Sequence, residues 1–245
     1  NLMRLPWQHL DADGFDRVMI EGRNFAYAEG LDAFVETLSR DFPNEREGLR
    51  RYADIMGEIG RHLHDAILPR DEVDFFNTSL FSQSAYEFLN ETFHDPLLRN
   101  VLCGSSLKME LDKDTLPLYT FAQGNNSFIE SSWRLKGDGT MLVDSLVNDI
   151  RSMGGDVICN AGVEELIEQD GKLVAALTVN GDRYEADWFI SDTHPAVTVD
   201  LVKESTRIKK VFRRRIHSLS NTYGMYTVSL IIKPNTLKYF NWNQY

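Results

Sequence analysis

Cysteine is nearly absent from this chain: Cys103 and Cys159 are the only two in 245 residues. They sit at no motif spacing, which excludes a disulfide framework and a cysteine-based zinc module. Free thiols in a cytoplasmic protein are the expectation. Long apolar runs are absent too. The most apolar stretch, residues 223–232, is broken by Ser229 and falls short of the roughly eighteen residues that span a bilayer. Residues 1–10 have neither the charged nor the apolar part of a secretory signal. Basic charge is in deficit, with 26 Lys and Arg against 37 Asp and Glu and a net charge of -11. General nucleic-acid binding needs a basic face to displace counterions, so the charge argues against that class, and more weakly against anionic membrane surfaces. No Gly-x-Ser-x-Gly is present, and neither cysteine lies beside a histidine in a nucleophile signature. Metal-ligand spacing is missing as well. His62 and His64 would point about 200° apart on a helix, and His9, His94, His194 and His217 are scattered. Asp11-Ala12-Asp13-Gly14 mimics the start of a calcium loop without the remaining ligands and reads as a solvated turn. No metal is expected.

The residues that are present describe an ordinary globular chain, 42% hydrophobic and 26% charged. Residues 15–20 and 24–28 flank Glu21-Gly22-Arg23, a hairpin signal. Leu31, Phe34, Val35 and Leu38 recur at helical spacing. Pro43 opens the next helix, with an apolar stripe from Leu49 to Leu63. Residues 84–93 predict a third helix, and Asp95-Pro96 starts a fourth. Residues 116–133 read as an aromatic loop. Thr140 is the expected N-cap of a helix ended by Gly154-Gly155. Strands are predicted over 157–159, 163–167, 173–179, 183–184, 188–190 and 222–232, with tight turns at Asp170-Gly171 and Asn180-Gly181. Helices are expected over 196–202 and 207–217.

The block from 137 to 192 has a particular order: helix, Gly-Gly, strand, three-stranded meander, then a strand ending at Ser191-Asp192. In a nucleotide-binding α/β domain, ligands sit at such strand ends. A small mixed sheet with no such role fits the same pattern.

The residues of this block also resemble one family. Gly154-Gly155-Asp156-Val157, Val163 with Leu166, Asp170-Gly171-Lys172-Leu173-Val174, Gly181, Ala186-Asp187 and Ile190-Ser191-Asp192-Thr193-His194-Pro195 fall in its order and spacing. Upstream, 11–20, 25–38 and Phe42-Pro43-Asn44-Glu45 before a long helix fit as well. Together they resemble the phytoene desaturase and all-trans-retinol 13,14-reductase (retinol saturase) group of FAD-dependent oxidoreductases. The resemblance implies an α/β fold, α+β within these residues. It makes 137–192 a piece of the nucleotide-binding domain of a two-dinucleotide-binding-domain flavoprotein. Residues 1–136 and 193–245 become the substrate domain, whose sheet should hold the 15–28 hairpin and the 222–232 strand. It places Val163 where backbone amide and carbonyl face the adenine of FAD; an ordinary buried strand valine is the other reading of that residue.

The departures from the family pattern matter equally. No Gly-x-Gly-x-x-Gly occurs, so the pyrophosphate anchor at a helix N-terminus is missing, and so is the C-terminal flavin segment. The expectation is an internal fragment of a larger enzyme, inactive alone and binding no FAD alone, whose parent carries FAD. In that parent a carbon–carbon bond of a retinoid- or carotenoid-like apolar substrate is saturated or desaturated. No catalytic residue is identifiable, because the flavin performs the hydride transfer. A flavin amine oxidase fragment, or a non-catalytic α+β module binding a lipid or a protein, are the alternatives. Phe75, Phe76, Phe81, Tyr86, Phe88, Phe93, Tyr119, Phe121, Phe128 and Trp133 are either core and loop anchors or the wall of an apolar tunnel. The basic run Arg207, Lys209, Lys210, Arg213, Arg214 and Arg215 is either a solvated helix face or a peripheral membrane or partner contact.

Overall fold

The computed structural model describes residues 4–67, 82–109, 114–221 and 224–245. Its first strand, β1 (Trp7–His9), pairs antiparallel with β4 (Trp133–Leu135) in a two-stranded sheet that local sequence does not announce. β2 (Asp16–Ile20) and β3 (Arg23–Tyr27) form the expected hairpin. Ile20 pairs with Arg23 across Glu21-Gly22, whose φ values of 53° and 77° are those of a two-residue turn matched to strand twist. Alternation turns Asp16, Val18, Phe25 and Tyr27 inward.

α1 (Leu31–Asp41) buries Phe34, Val35 and Leu38. A 3-10 turn at Pro43–Glu45 leads into α2 (Arg46–Ile67). Glu45 is buried, and its carboxylate accepts the amides of His94 (2.8 Å) and Asp95 (2.6 Å). α3 (Ala85–Thr92) is capped by the Ser84 hydroxyl and α4 (Pro96–Leu102) by the Asp95 carboxylate, as expected of those residue types. Tyr52 lies at the centre of the core. Its ring sits 5.8 Å from that of Phe34, 6.2 Å from Phe93 and 6.3 Å from Phe121.

The stretch expected to be an aromatic loop is a helix, α5 (Leu118–Glu130). Leu118, Phe121, Ala122, Asn125 and Ile129 occupy one buried face at i, i+3, i+4, i+7 and i+11. Gly124, Asn125 and Asn126 disguise the period, because a buried asparagine reads as polar. Asn125 belongs there because its amide is satisfied: Oδ1 accepts the Ser105 hydroxyl (2.8 Å), and Nδ2 donates to the Phe121 carbonyl (3.0 Å).

α6 (Thr140–Ser152) takes its N-terminal cap from Asp138, which accepts the Thr140 amide at 2.9 Å, rather than from Thr140. Its C-terminus follows expectation: Gly154 lies at φ 86°, with Gly154 and Gly155 amides bonded to the carbonyls of Arg151 and Ile150. β5 (Val163–Gln169), β6 (Lys172–Thr178) and β7 (Arg183–Glu185) are the expected antiparallel meander, turning at Asp170-Gly171. α7 (Pro195–Leu201) and α8 (Lys210–His217) follow. α8 starts later than expected because the Ser205 hydroxyl takes the amides of Arg207 and Ile208 and holds them in a turn.

Three predicted strands are not strands. Residues 157–159, 188–190 and 224–232 lie in no ladder among the described residues. Their apolar, β-branched composition resembles that of strands, but a strand exists only when a neighbour takes its backbone groups. The hairpin's third strand is instead β8 (Asn243–Gln244), parallel to β2. It is locked by the buried Asp16 carboxylate, which accepts from Asn243 Nδ2 and the Tyr245 hydroxyl, both at 2.9 Å.

The chain is α+β and divides into two compact units. One is Met3–Met141 with Gly224–Tyr245, holding the hairpin, the helices and the main core. The other is Leu142–Tyr223, holding the meander, α7 and α8. The sequence reading returned the chain to the first unit at 193, whereas the structure keeps 193–221 with the meander. α7 packs on β5, and the Glu168 carboxylate holds the Ser205 hydroxyl and both the amide and hydroxyl of Thr206. Lys203 reaches Glu165 at 2.8 Å.

Candidate functional site

Val163 is the first residue of β5, and β5 is the outer strand of the order β5-β6-β7. One side of the residue faces the ladder, where it pairs with Thr178 and the preceding Gly162 carbonyl accepts the Val179 amide at 2.8 Å. The other side is an open strand edge. A register shift between Val163 and Glu165 loosens the ladder at this point. Val163 is 41% exposed, so it is not the buried strand valine of the alternative reading; Leu166 fills that role. An edge backbone beside an exposed apolar side chain can present one donor and one acceptor to a planar heterocycle.

Downstream, Ser191, Thr193 and Thr198 bring three hydroxyl oxygens within 2.7 to 3.0 Å of one another. His194 caps α7: its Nδ1 accepts the Ala196 amide (3.2 Å), which leaves Nε2–H to donate to Asn221 Oδ1 (3.0 Å). Both ring nitrogens are engaged, so His194 positions the start of α7 and is not a free base. On the meander, a polar open groove of about 490 Å³ is lined by Gln169, Val174, Arg183, Glu185, Ala186 and Asp187. Its guanidinium is already paired, Arg183 to Glu185 at 3.0 Å. Hydrogen bonds from Ser205 and Thr206 hold the Glu168 carboxyl below the usual range, so it stays an anion that ties 205–206 to the sheet.

In the other unit most of the predicted aromatic residues belong to or pack against the core, whereas Tyr86 and Trp133 are exposed. Phe88, Phe93 and Phe121 are fully buried, Phe128 packs on Tyr245, and Trp133 is exposed and stacks on His9. Phe75, Phe76 and Phe81 lie outside the described residues. A cleft of about 340 Å³ is lined by Tyr86, Leu89, Asn90, Pro96, Arg99, Asn100 and Cys103. Cys103 is exposed at the cleft, yet partial desolvation of its sulfur pushes the thiol up to about 11, so little of it is thiolate near neutral pH. Cys103 and Cys159 are both free. Among the described residues no three His, Cys, Asp or Glu side chains converge on one point. Asp11 to Gly14 form a tight turn, with the Gly14 amide on the Asp11 carbonyl at 3.2 Å. Sequence reasoning missed Asp16 as an anchor, although an Asp two residues before Val18 on the inward face of a strand was the available signal.

No protein-family model matches the chain. The chain is similar to carotenoid-pathway enzymes. It is 22% identical over 228 residues to prolycopene isomerase 2, chloroplastic, of an Oncidium hybrid cultivar, covering 84% of this chain and 38% of the relative. Prolycopene isomerase 1 of the same plant matches at the same identity and coverage. The 4,4'-diapolycopen-4-al dehydrogenase of Metabacillus indicus is 26% identical over 202 residues, covering 76% of this chain and 40% of the relative. The chain therefore spans well under half the length of these relatives. The matches run across both compact units, so the meander and the helical core are shared as one stretch of sequence. No helix among the described residues is long and apolar enough to cross a membrane.

Proposed function

We propose that this chain is part of an FAD-dependent oxidoreductase that saturates or desaturates a carbon–carbon bond of a carotenoid- or retinoid-like substrate. The observation that carries the reading is the similarity across both units to a carotenoid isomerase and a carotenoid aldehyde dehydrogenase. Its physical support is the unfinished sheet of Leu142–Tyr223. Residues 157–159 and 188–190 are apolar and lie in no ladder among the described residues, and Ile190 is 99% exposed. α6 buries none of its residues, and Val143, Leu146, Ile150 and Met153 stay exposed. In this reading those segments are parallel strands and a covering helix of a nucleotide-binding sheet, completed by a Gly-x-Gly-x-x-Gly unit elsewhere in the protein. The Val163 backbone at the open edge of β5 meets the adenine, and the 137–192 region is the nucleotide-domain piece. The flanking unit is the substrate domain. When bound, the flavin supplies hydride exchange with the carbon–carbon bond. This chain's residues supply one edge of the cofactor site and the scaffold for an apolar substrate. In this reading the protein is cytoplasmic and makes a peripheral contact with the membrane where such substrates dissolve.

The test is the visible spectrum after dialysis, taken on the complete open reading frame and on residues 1–245. The complete protein is expected to hold one equivalent of flavin, and this chain none. A complete protein that stays colourless after incubation with FAD overturns the enzyme reading in favour of a non-catalytic lipid- or protein-binding module.

A further inference from the structure

We propose that α8 is an interfacial helix that docks Leu142–Tyr223 on an anionic lipid surface. The inference deepens the peripheral membrane contact proposed above and is independent of the flavin. The chain as a whole is acidic, at -11, yet residues 207–217 carry Arg207, Lys209, Lys210, Arg213, Arg214 and Arg215 without one Asp or Glu. The two sides of α8 are differently occupied. Arg213 and Ile216 turn inward, where the Arg213 guanidinium donates to the carbonyls of Val199 and Val202, and His217 reaches Asp200 at 2.9 Å. Arg213 therefore belongs to the fold.

The outward side is different. Val211 is 74% exposed and Phe212 49% exposed. Arg214 and Arg215 stand three and four residues after Val211, on the same face, and Lys210 borders it. All three cations are exposed, and among the described residues none has a carboxylate at ion-pair distance. Val211 stands in water between Lys210, Arg214 and Arg215, with Phe212 exposed about 100° further round the helix, and this is poorly placed for a solvated face. It suits the headgroup boundary of a bilayer, where the apolar side chains leave water and the cations meet lipid phosphates. The net negative charge elsewhere does not prevent this, because at physiological salt charges more than about 8 Å from the surface are largely screened. Charge complementarity selects an anionic lipid over a neutral one. The exposed Val211 and Phe212 suit a surface that takes apolar side chains out of water beside phosphates, as the headgroup boundary does.

The experiment is flotation of the complete protein with phosphatidylcholine vesicles containing about a third phosphatidylserine, against pure phosphatidylcholine. The triple variant Lys210→Gln, Arg214→Gln, Arg215→Gln removes these cations without touching Arg213. The variant Lys136→Gln, Arg151→Gln, Lys172→Gln makes the same change in net charge elsewhere, and melting curves confirm that both fold. Expected is binding to the anionic vesicles only, weakened about a hundredfold by the α8 triple variant. The control variant should change it little, and Val211→Ser should weaken it about fivefold. Wild-type protein that floats with neither vesicle overturns the membrane contact itself. Wild-type flotation that survives the α8 triple variant keeps a membrane contact but overturns its assignment to α8. Retention lost with the charges and unchanged in Val211→Ser overturns the interfacial seating of α8 and leaves a purely electrostatic contact with the lipid surface.

Discussion

Among the described residues Tyr52 finds no hydrogen-bond partner for its hydroxyl, at a fully buried position among three aromatic rings. Burial drives its pKa well above the ordinary phenol value, so it stays neutral at every working pH. An unsatisfied buried donor costs about 1 to 3 kcal/mol, and phenylalanine fills nearly the same volume. Tyr52→Phe is therefore expected to raise stability by about 1 kcal/mol, read as a higher urea midpoint at unchanged slope. Asn125 is the converse case. Asn125→Ala removes two bonds and strands the Ser105 hydroxyl, so a loss of about 2 to 3 kcal/mol is expected from the same titration. Cys103 offers a check by pH. With its thiol near 11, the reactive thiolate is scarce at pH 8 and grows about tenfold per unit as pH rises, levelling off only near pH 11. The alkylation rate of Cys103, followed by peptide mass spectrometry, should show that rise. A rate that levels off near pH 8.5 would contradict the raised thiol pKa.

At the scale of elements, what was legible was local. Ser84 and Asp95 mark helix starts because their side chains bond the amides two and three residues on. Asp170-Gly171 marks a hairpin because both residues accept a left-handed backbone, at 51° and 77°. Gly171→Val is expected to destabilise the meander by about 1 to 2 kcal/mol. It also brings a side chain against the Arg207 guanidinium, 2.5 Å from where a Cβ would stand. Loss of β5–β6 amide protection in hydrogen exchange checks it. What was not legible was pairing. Residues 224–232 have strand composition but no ladder, and Tyr226 is 93% exposed there. Unpaired apolar extended chain is a template for association. Tyr226→Lys with Ile231→Lys is expected to lower self-association of residues 1–245 in sedimentation velocity. α5 escaped for a different reason: its buried face includes an asparagine, and burial of a polar group depends on partners that sequence spacing does not show.

Across the whole molecule, burial is unevenly shared. The main core, from Val18 and Phe25 through Tyr52 to Phe121 and Ile129, belongs to Met3–Met141 with Gly224–Tyr245. In Leu142–Tyr223 the buried apolar residues are Leu166, Ala175, Val199 and Val202. Opening free energy follows buried apolar contact, so amides of β5 and β6 are expected to exchange at least about tenfold faster than those of α1 and α5. Equal protection would show a core in the meander unit that these residues do not account for. The same imbalance bears on the cofactor. The adenine-edge contact proposed for Val163 would be worth on the order of a few kcal/mol before binding entropy is subtracted, which would leave about millimolar affinity at best for this chain alone.

Sequence alone determined the hairpin at Glu21-Gly22, the meander, most of the helices with their caps, and the likeness to carotenoid-pathway enzymes, since each is written in residues close together along the chain. Only the tertiary structure decided that Asn243–Gln244 rather than 222–232 completes the first sheet, that Asp16 and Asn125 are buried, that 193–221 stays with the meander, and which side of α8 faces water. Those outcomes depend on partners as much as 229 residues away, such as Tyr245 on Asp16. A backbone edge, a buried amide or a guanidinium is settled by whichever group arrives to pair with it.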